Sequence, residues 1–331
     1  MKVINKENLS YAINQLNNGE LVIFPTETVY GLGANALDEK AVSKIFQVKN
    51  RISNNPLIVH LKDKSEISKY AEIVNPIEQK LIDSFMPGPF TLILKKKDII
   101  PSNVTANMDT VGIRIPIDEV AHNLLNSLEY PLAAPSANLS TRPSGTNVSD
   151  IYDEFNEKVS CIIDGGESTI GLESTVVKVI DNVPLILRPG FITKEDIKEV
   201  IGTCNVSEFV LKEAYGKVES PGMLYKHYSP KTPCILVDYS KIDEVINNNV
   251  DKKIIVLASS KFNNKNVFKY FNYGDDLVTI AHNIFKLLRE TDKLESDLII
   301  IESTIKEGLG LAIMNRLIRT CSYNYIKSEN I

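Results

Sequence analysis

The sequence has no long hydrophobic segment. None of its apolar runs approaches the roughly 20 residues of a membrane-spanning helix, and the amino-terminal residues lack the apolar stretch of a signal peptide. We therefore expect a cytoplasmic protein that does not associate with membranes. Its Asn-x-Ser/Thr triplets then carry no glycosylation meaning.

Cysteine and histidine are both scarce and scattered. The four cysteines, Cys161, Cys204, Cys234 and Cys321, include no C-x-x-C pair, which favours reduced thiols over disulfides or zinc ligands. The four histidines include no H-x-x-x-H pair. The sequence therefore predicts no transition-metal site built by the protein.

Positive charge is not in excess. The chain has 37 Lys and Arg against 42 Asp and Glu, a net charge of −5. A protein that grips nucleic acid through its overall field carries the opposite sign. Only a local basic patch remains compatible with this composition.

The two common nucleotide-binding fingerprints are missing. No G-x-x-x-x-G-K-[ST] occurs, and Gly31-x-Gly33 is too short for G-x-G-x-x-G. Neither a Ser-His-Asp spacing nor a paired-carboxylate motif stands out. A nucleotide would instead be held by dispersed Lys, Arg, Ser, Thr and Asn groups. That favours electrostatic clamping of phosphates over a covalent nucleophile.

The 331 residues, 43% hydrophobic and 24% charged, suffice for two globular domains with separate cores. Strand and helix patterns alternate up to residue 202, lapse between 203 and 233, and restart at residue 234. We predict a first α/β domain at 1–202, a linker at 203–233 and a small second α/β domain at 234–331.

The most informative stretch of the sequence is 22–60. A short apolar strand at 22–24 is followed by the polar turn Thr26–Thr28. Gly31 and Gly33 come next, where the backbone can take a positive φ or approach a ligand closely. The stretch is predicted to form one wall of a binding site.

A helix capped by Asp38 follows this turn and delivers two cations, Lys49 and Arg51. They are two residues apart, so they converge only if the helix ends near Asn50. A strand is predicted at 57–61. An anion site and an ordinary solvated loop both fit this pattern.

Arg114 lies in the middle of an apolar strand predicted at 111–115. On a buried face it needs a carboxylate or phosphate partner, whereas on a solvent-facing edge strand it needs none. Ser136 and Asn138 follow the strand predicted at 132–134. They suit either ligand contact at a strand end or a plain Asx turn.

The predicted linker contains Tyr225, Lys226 and His227 between Pro221 and Pro230. A spacer is more often rich in Gly and Ser or in charge. The segment is interpreted either as a spacer or as a lid that closes over a ligand.

Seven motifs of the chain occur in the order found in one protein family. They are PTETVYGLG (25–33), KNR and NPLIVH (49–60), VGIRIP (111–116), APSANLS (134–140), LESTVV (172–177), LRPG (187–190) and SPGMLYKHYSP (220–230). Together they resemble the threonylcarbamoyl-AMP synthases in their long form, and the resemblance covers nearly the whole chain.

The resemblance implies a YrdC-like domain, which is a twisted open mixed α/β sheet with a concave cleft, and a small Rossmann-like α/β second domain. It also implies a reaction in which L-threonine, bicarbonate and ATP give threonylcarbamoyl-AMP and pyrophosphate. Mg²⁺ would be carried by the nucleotide. A downstream transferase would pass the threonylcarbamoyl group to tRNA, which this protein would not bind tightly.

The same resemblance implies which residues form the site. Those for threonine and its carbamate would be Thr28, His60, Arg114, Ala134 and Ser174. Those for ATP would be Lys49, Arg51, Asn55, Thr110, Ser136, Asn138, Ser144, Arg188, Tyr225 and His227. Lys49 and Arg51 would also be catalytic, since a leaving pyrophosphate needs cations on its developing charge.

Two positions depart from the family pattern. Ile52 follows Arg51 where the family often has proline, and LSTRPSGTN follows Asn138 where SGRPSPT is usual. The exit of Arg51 from the helix and the ATP contact at Ser144 depend on these positions. The competing interpretations are a non-catalytic RNA- or ribosome-binding factor of the same fold and the carbamoyl-adenylate chemistry of hydrogenase maturation. Proteins of the latter kind are much longer and carry cysteine motifs that this sequence lacks.

Overall fold

The computed structural model describes residues 1–212 and 228–328. Those residues separate into two compact units. The first unit contains residues 1–140 and 144–212, and the second contains Thr141–Pro143 and residues 228–328. None of the helices in the described ranges is long and apolar enough to cross a bilayer.

The first unit is built on a mixed sheet of twelve strands. They are β1 (Lys2–Asn5), β2 (Val22–Phe24), β3 (Gly31–Asn35), β4 (Ile58–His60), β5 (Ala71–Glu72), β6 (Phe90–Lys96), β7 (Thr110–Arg114), β8 (Leu132–Ala133), β9 (Cys161–Asp164), β10 (Thr175–Ile180), β11 (Val183–Arg188) and β12 (Asn205–Val206). Their order is β1-β9-β2-β3-β8-β4-β7-β6-β10-β11-β12, with β5 paired to β6. The predicted mixed α/β sheet is confirmed. Its last strand, β12, lies in the range predicted as linker, and the three-part division of the chain stays a prediction.

Within residues 1–212, seven α-helices accompany this sheet. They are α1 (Ser10–Asn17), α2 (Glu39–Lys49), α3 (Ile67–Tyr70), α4 (Pro76–Phe85), α5 (Glu119–Asn126), α6 (Val148–Phe155) and α7 (Lys194–Ile201). Asp38 caps α2 with its side chain, as predicted. Asn75 with Glu78 and Thr193 with Asp196 form reciprocal capping boxes at α4 and α7. These side-chain caps fix the residues at which the three helices start.

One face of the sheet carries the main apolar core. Leu57, Val59 and Leu61 alternate along β4 and its flanks and are at most 1% exposed. They pack with side chains from α2, α3, α4, α6 and α7. Burying each such side chain contributes about 1.5–3 kcal/mol. Ile58 and His60 therefore point to the opposite face.

The opposite face is covered by a second apolar cluster over only part of its width. Phe24, Leu132 and Ala134 belong to this cluster, together with side chains of α1 and α5. Further along the same face, the strands β4, β7 and β6 carry polar residues instead. The boundary between the two parts is where Phe24 meets His60, with ring centroids 6.0 Å apart in a T-shaped arrangement.

Gly31 and Gly33 do not adopt the positive φ that was one of the two expectations from the sequence. Both lie in β3, and neither has a positive φ. A Cβ at Gly33 would lie 2.9 Å from the Phe24 ring, and one at Gly31 would lie 3.2 Å from it. The absence of side chains makes room for Phe24, which in turn packs against His60.

The second unit contains a five-stranded sheet in which every pairing is parallel. Its strands are β13 (Cys234–Val237), β14 (Ile254–Ala258), β15 (Lys269–Asn272), β16 (Leu298–Glu302) and β17 (Tyr325–Ile326), in the order β15-β14-β16-β13-β17. Its helices are α8 (Ile242–Asn247), α9 (Leu277–Thr291) and α10 (Leu309–Thr320). This architecture confirms the predicted small α/β domain.

The second unit also includes the three residues Thr141–Pro143. The carbonyl of Thr141 accepts a hydrogen bond from the Ser229 backbone at 2.8 Å. Arg142 forms an ion pair with Asp292. Through these contacts the three residues belong to the second unit, although they precede the rest of it by more than 80 residues in the sequence.

Candidate functional site

A row of polar side chains crosses three neighbouring strands of the first sheet. His60 on β4 is the register partner of Arg114 on β7, and Arg114 is the partner of Thr91 on β6. Residues opposite each other on adjacent strands point to the same face. All three are buried, with at most 4% of the residue exposed. Buried polar groups in a sheet require partners, and the partners here identify a candidate site.

The row continues onto β10 and β11. The Thr91 hydroxyl lies 2.8 Å from the hydroxyl of Ser174, which directly precedes β10. Arg188 at the end of β11 donates from Nη2 to the Ser174 carbonyl at 2.9 Å and to its hydroxyl at 3.1 Å. Ser174, assigned to threonine, and Arg188, assigned to ATP, are thus brought into contact.

Arg114 is buried and has a carboxylate partner, which decides between its two sequence interpretations. Its Nη2 donates to Oε1 of Glu27 at 2.6 Å. The side chains are only 5% and 6% exposed. Glu27 lies 87 residues away in sequence. An edge-strand arginine facing solvent is therefore excluded.

His60 has a neutral ring at physiological pH. Burial lowers its pKa to about 3, and the neighbouring Arg114 charge acts in the same direction. Its Nδ1 lies 3.1 Å from the carbonyl oxygen of Ile58. A neutral imidazole can make hydrogen bonds to a ligand without adding charge to the site.

The turn that carries Thr28 is held by its own hydrogen bonds. The Thr26 hydroxyl donates to the Val29 carbonyl at 2.6 Å and accepts from the Thr28 backbone at 3.2 Å. The hydroxyls of Thr26 and Thr28 lie 2.8 Å apart. Thr28 is fully buried, so its side chain has a fixed position beside Glu27.

Lys49 is the last residue of α2 and is 1% exposed. The helix ends at Asn50, as the sequence predicts, and Asn50 adopts a left-handed conformation. The Lys49 ammonium donates to the Ser136 carbonyl at 2.5 Å and to the Asn138 carbonyl. The Ser136 hydroxyl donates to Asn138 Oδ1 at 2.6 Å. These three residues, all assigned to ATP, form one cluster.

Arg51 folds back on the loop that follows it. Its Nη2 donates to the carbonyl of Pro56 at 3.0 Å and lies 3.4 Å from the carbonyl of Asn55. Asn55 is 4% exposed, and its side-chain oxygen is buried without a hydrogen-bond partner in the described part of the chain. A buried amide acceptor of this kind is available to a ligand.

The remaining predicted residues occupy different settings. The Ser144 hydroxyl donates to Glu173 at 2.7 Å in a buried position. Ala134 donates its backbone N–H to the Ile58 carbonyl at 3.0 Å. Thr110 is half-buried at the start of β7. Tyr225 and His227, with Lys226 of the predicted lid, lie outside the described residues.

Sequence reasoning missed Glu27, Thr91 and Glu173 as members of this region. Thr91 and Arg114 are each a polar residue within an otherwise apolar strand, on the strand face opposite the main core. This shared feature is the sequence signal that could have linked them. Glu27 stands between two threonines and has no local pattern. Its pairing with Arg114 depends on the tertiary fold.

Two family models match this chain. Residues 14–190 match the Sua5, YciO and YrdC model, which is described as telomere recombination. Residues 192–322 match the model described as the threonylcarbamoyl-AMP synthase C-terminal domain. The matches follow the order of the two units along the chain.

Relatives that match nearly the whole chain are named threonylcarbamoyl-AMP synthase. The threonylcarbamoyl-AMP synthase of Pyrococcus abyssi is 41% identical over 320 residues, which cover 94% of this chain and 93% of that protein. The enzyme of that name from Bacillus subtilis is 39% identical over 334 residues, covering 98% and 95%. A crystal structure of Pyrococcus abyssi Sua5 complexed with L-threonine superposes with a TM-score of 0.95 at 39% identity. It covers 99% of this chain and 100% of that one.

Proposed function

The chain belongs to the threonylcarbamoyl-AMP synthase family, and on that premise we propose that it converts L-threonine, bicarbonate and ATP into threonylcarbamoyl-AMP and pyrophosphate. The observation that carries the proposal is Arg114, a buried cation on the polar part of the sheet face. A guanidinium fixed on a strand suits a substrate carboxylate.

The threonine end of the site is proposed to comprise Thr28, His60, Arg114, Ala134 and Ser174. Arg114 supplies the charge, and Thr28, His60 and Ser174 supply neutral polar groups at fixed positions. Such an arrangement would bind a small polar amino acid and its carbamate. The short side chain of Ala134 would leave space for the ligand.

The ATP end is proposed to draw on the cations Lys49, Arg51 and Arg188. Positive charges stabilise the phosphates and the pyrophosphate that leaves. Lys49 is fixed by Ser136 and Asn138, so its position does not depend on the ligand. The remaining proposed ATP contacts are Asn55, Thr110, Ser136, Asn138, Ser144, Tyr225 and His227.

The proposed chemistry has two stages. The threonine amine and bicarbonate first give the carbamate with loss of water. A carbamate oxygen then attacks the α-phosphorus of ATP, and pyrophosphate leaves as the new P–O bond forms. We propose that Mg²⁺ arrives bound to the ATP phosphates. The adenylate product would pass to a tRNA-modifying transferase, with no tight binding of tRNA by this chain.

The test is pyrophosphate release from ATP by the purified protein. The proposal requires release only when threonine and bicarbonate are both present, together with a threonylcarbamoyl-adenylate peak in mass spectrometry. Serine and glycine at equal concentration serve as substrate controls. Release that is independent of threonine would contradict the proposed reaction. An absence of release combined with tight RNA binding would favour the non-catalytic factor instead.

A further inference from the structure

Glu27 is a buried acid that the proposed set of substrate contacts does not use. The residue is 5% exposed, and only one of its carboxylate oxygens, Oε1, contacts Arg114. In the part of the chain that the structure describes, the other oxygen, Oε2, is buried without a hydrogen-bond partner. Arg114 Nε is buried without a partner as well.

Within the described residues, the ion pair of Glu27 and Arg114 leaves one hydrogen-bonding atom of each residue unsatisfied. A buried ion pair offsets its desolvation only when the remaining lone pairs and protons are also satisfied. Here one anionic acceptor and one cationic donor both remain open. A ligand that satisfies both must carry a donor and an acceptor, and the two opposite charges favour a cationic donor and an anionic acceptor. A zwitterionic α-amino acid carries this combination.

Both members of the pair are held by rigid backbone. Arg114 lies in β7, paired on both sides by β4 and β6. The Glu27 carbonyl accepts hydrogen bonds from the Ile170 backbone at 2.8 Å and from the Thr169 hydroxyl at 3.3 Å. The turn around Glu27 is thereby fixed before any ligand arrives, which lowers the entropic cost of binding.

Another carboxylate, Asp118, lies near enough to Glu27 to interact with it electrostatically. Its side chain accepts from the Ala121 backbone and caps α5, so it already has a structural role. Glu27 has no comparable capping role for Oε2. Of these two acids, Glu27 is the one with a buried carboxylate oxygen that lacks a hydrogen-bond partner in the described residues.

We propose that Glu27 binds the α-ammonium group of the amino-acid substrate through Oε2, while Arg114 binds its carboxylate through Nε. The proposal rests on the proposed function, since it takes threonine as the ligand of this site. It assigns amine recognition to Glu27 and leaves the Oε1 to Nη2 contact in place as the link that orients both groups.

The experiment measures two ligands against the wild-type protein and Glu27→Gln by calorimetry. One ligand is L-threonine, and the other is the 2,3-dihydroxybutanoate of matching configuration, in which a hydroxyl replaces the ammonium. We expect wild type to prefer threonine by about tenfold or more, as for a charge-assisted contact. In Glu27→Gln the threonine affinity should fall by about that factor while hydroxy-acid affinity changes less than about twofold.

Two further variants serve as controls for this experiment. Glu27→Asp keeps the charge and shortens the side chain, so it should weaken threonine binding without reversing the preference over the hydroxy acid. Glu20→Gln, at an exposed ion pair with Lys44, is the matched control and should behave as wild type. Circular dichroism confirms that each variant is folded.

An equal loss for both ligands in Glu27→Gln would show that Glu27 only positions Arg114, and it would overturn the inference. Unchanged threonine affinity in Glu27→Gln or Glu27→Asp would overturn it as well. In both cases the proposed function survives. If the wild-type protein failed to bind threonine at all, the proposed function itself would fail.

Discussion

The two sheets of this chain bury their strands differently. In the second unit, β14 is a continuous run of five apolar residues, each at most 1% exposed. In the first unit, β4, β6 and β7 alternate between apolar residues on one face and His60, Thr91 and Arg114 on the other. All of these strands are buried, but only β4, β6 and β7 carry the buried polar side chains His60, Thr91 and Arg114.

The difference indicates which sheet carries the ligand site. A buried polar group without a good partner costs about 1–3 kcal/mol, so a sheet that serves only as a core is better built from apolar residues. The second unit follows that rule along β14. The first unit departs from it along a single row, and the departure is expected where a substrate supplies the missing partners.

The largest effect should come from Arg114→Met. Without the guanidinium, threonine loses a buried charge partner, and its binding should weaken by about 2–5 kcal/mol. The variant should also lose about 3–5 kcal/mol of stability because Glu27 remains buried without its cation. Calorimetry measures the first quantity and denaturant unfolding the second.

The double variant Glu27→Gln with Arg114→Met provides the control for that prediction. It removes both charges, so it should recover most of the lost stability while threonine binding stays at least as weak as in Arg114→Met. Unchanged threonine affinity in Arg114→Met would remove Arg114 from the site.

A smaller effect is expected from Lys49→Ala and Arg51→Ala. Each removes a charged donor of the proposed phosphate clamp, which is worth about 1.5–3 kcal/mol. Pyrophosphate release should slow by about 10- to 100-fold, while threonine affinity changes much less. Lys44→Ala on the same helix α2 is the matched control. Wild-type release in both variants would place the phosphate clamp elsewhere.

A pair of isosteric swaps would sharpen the contrast between the sheets. Val256→Thr places a hydroxyl in the core of β14 and should cost about 1–3 kcal/mol of stability, with no change in threonine affinity. Thr91→Val removes the contact with Ser174 and should slow turnover while changing stability by about 1 kcal/mol or less. Unfolding and turnover measured on both variants test the prediction. If Val256→Thr slowed turnover and Thr91→Val mainly lost stability, the contrast drawn between the two sheets would be wrong.

The smallest effect concerns acid stability. The pKa of His60 is about 3 in the folded state, owing to burial and then to Arg114, against 6.5 for an unperturbed histidine. The unfolded state therefore binds the proton first, so this residue's contribution to stability is complete above about pH 6.5 and is lost as the pH falls towards 3.

Between about pH 6.5 and about pH 5.5 the loss from His60 should be about 1 kcal/mol. His60→Gln should remove that part of the pH dependence, and His122→Gln, at an exposed position on α5, should keep it. Denaturant unfolding at the two pH values measures the difference. An identical slope in wild type and His60→Gln would contradict the assigned pKa.

Local sequence signals predicted much of this architecture. The helix cap at Asp38 and the strand predicted at 57–61 are set by neighbours a few residues away, and the structure confirms both. The contact between Glu27 and Arg114 joins residues 87 apart and depends on strand order and register. No local pattern encodes such a pairing.

The roles of individual residues were predictable only in part. The family resemblance assigned Arg114 to threonine, whereas the strand pattern left open whether it lies on a buried face or faces solvent. The positive φ that the sequence allowed at Gly31 and Gly33 is not adopted, because both lie in β3, where the missing side chains make room for the Phe24 ring of the neighbouring strand. That requirement appears only once β2 and β3 are paired.

The most direct test of the account is a crystal structure of this protein with L-threonine bound. We predict that the threonine carboxylate lies within hydrogen-bonding distance of Arg114, next to His60 and Thr91 on the polar face of the first sheet. Threonine bound elsewhere, with the Glu27 to Arg114 pair unchanged and no ligand atom near it, would contradict the account.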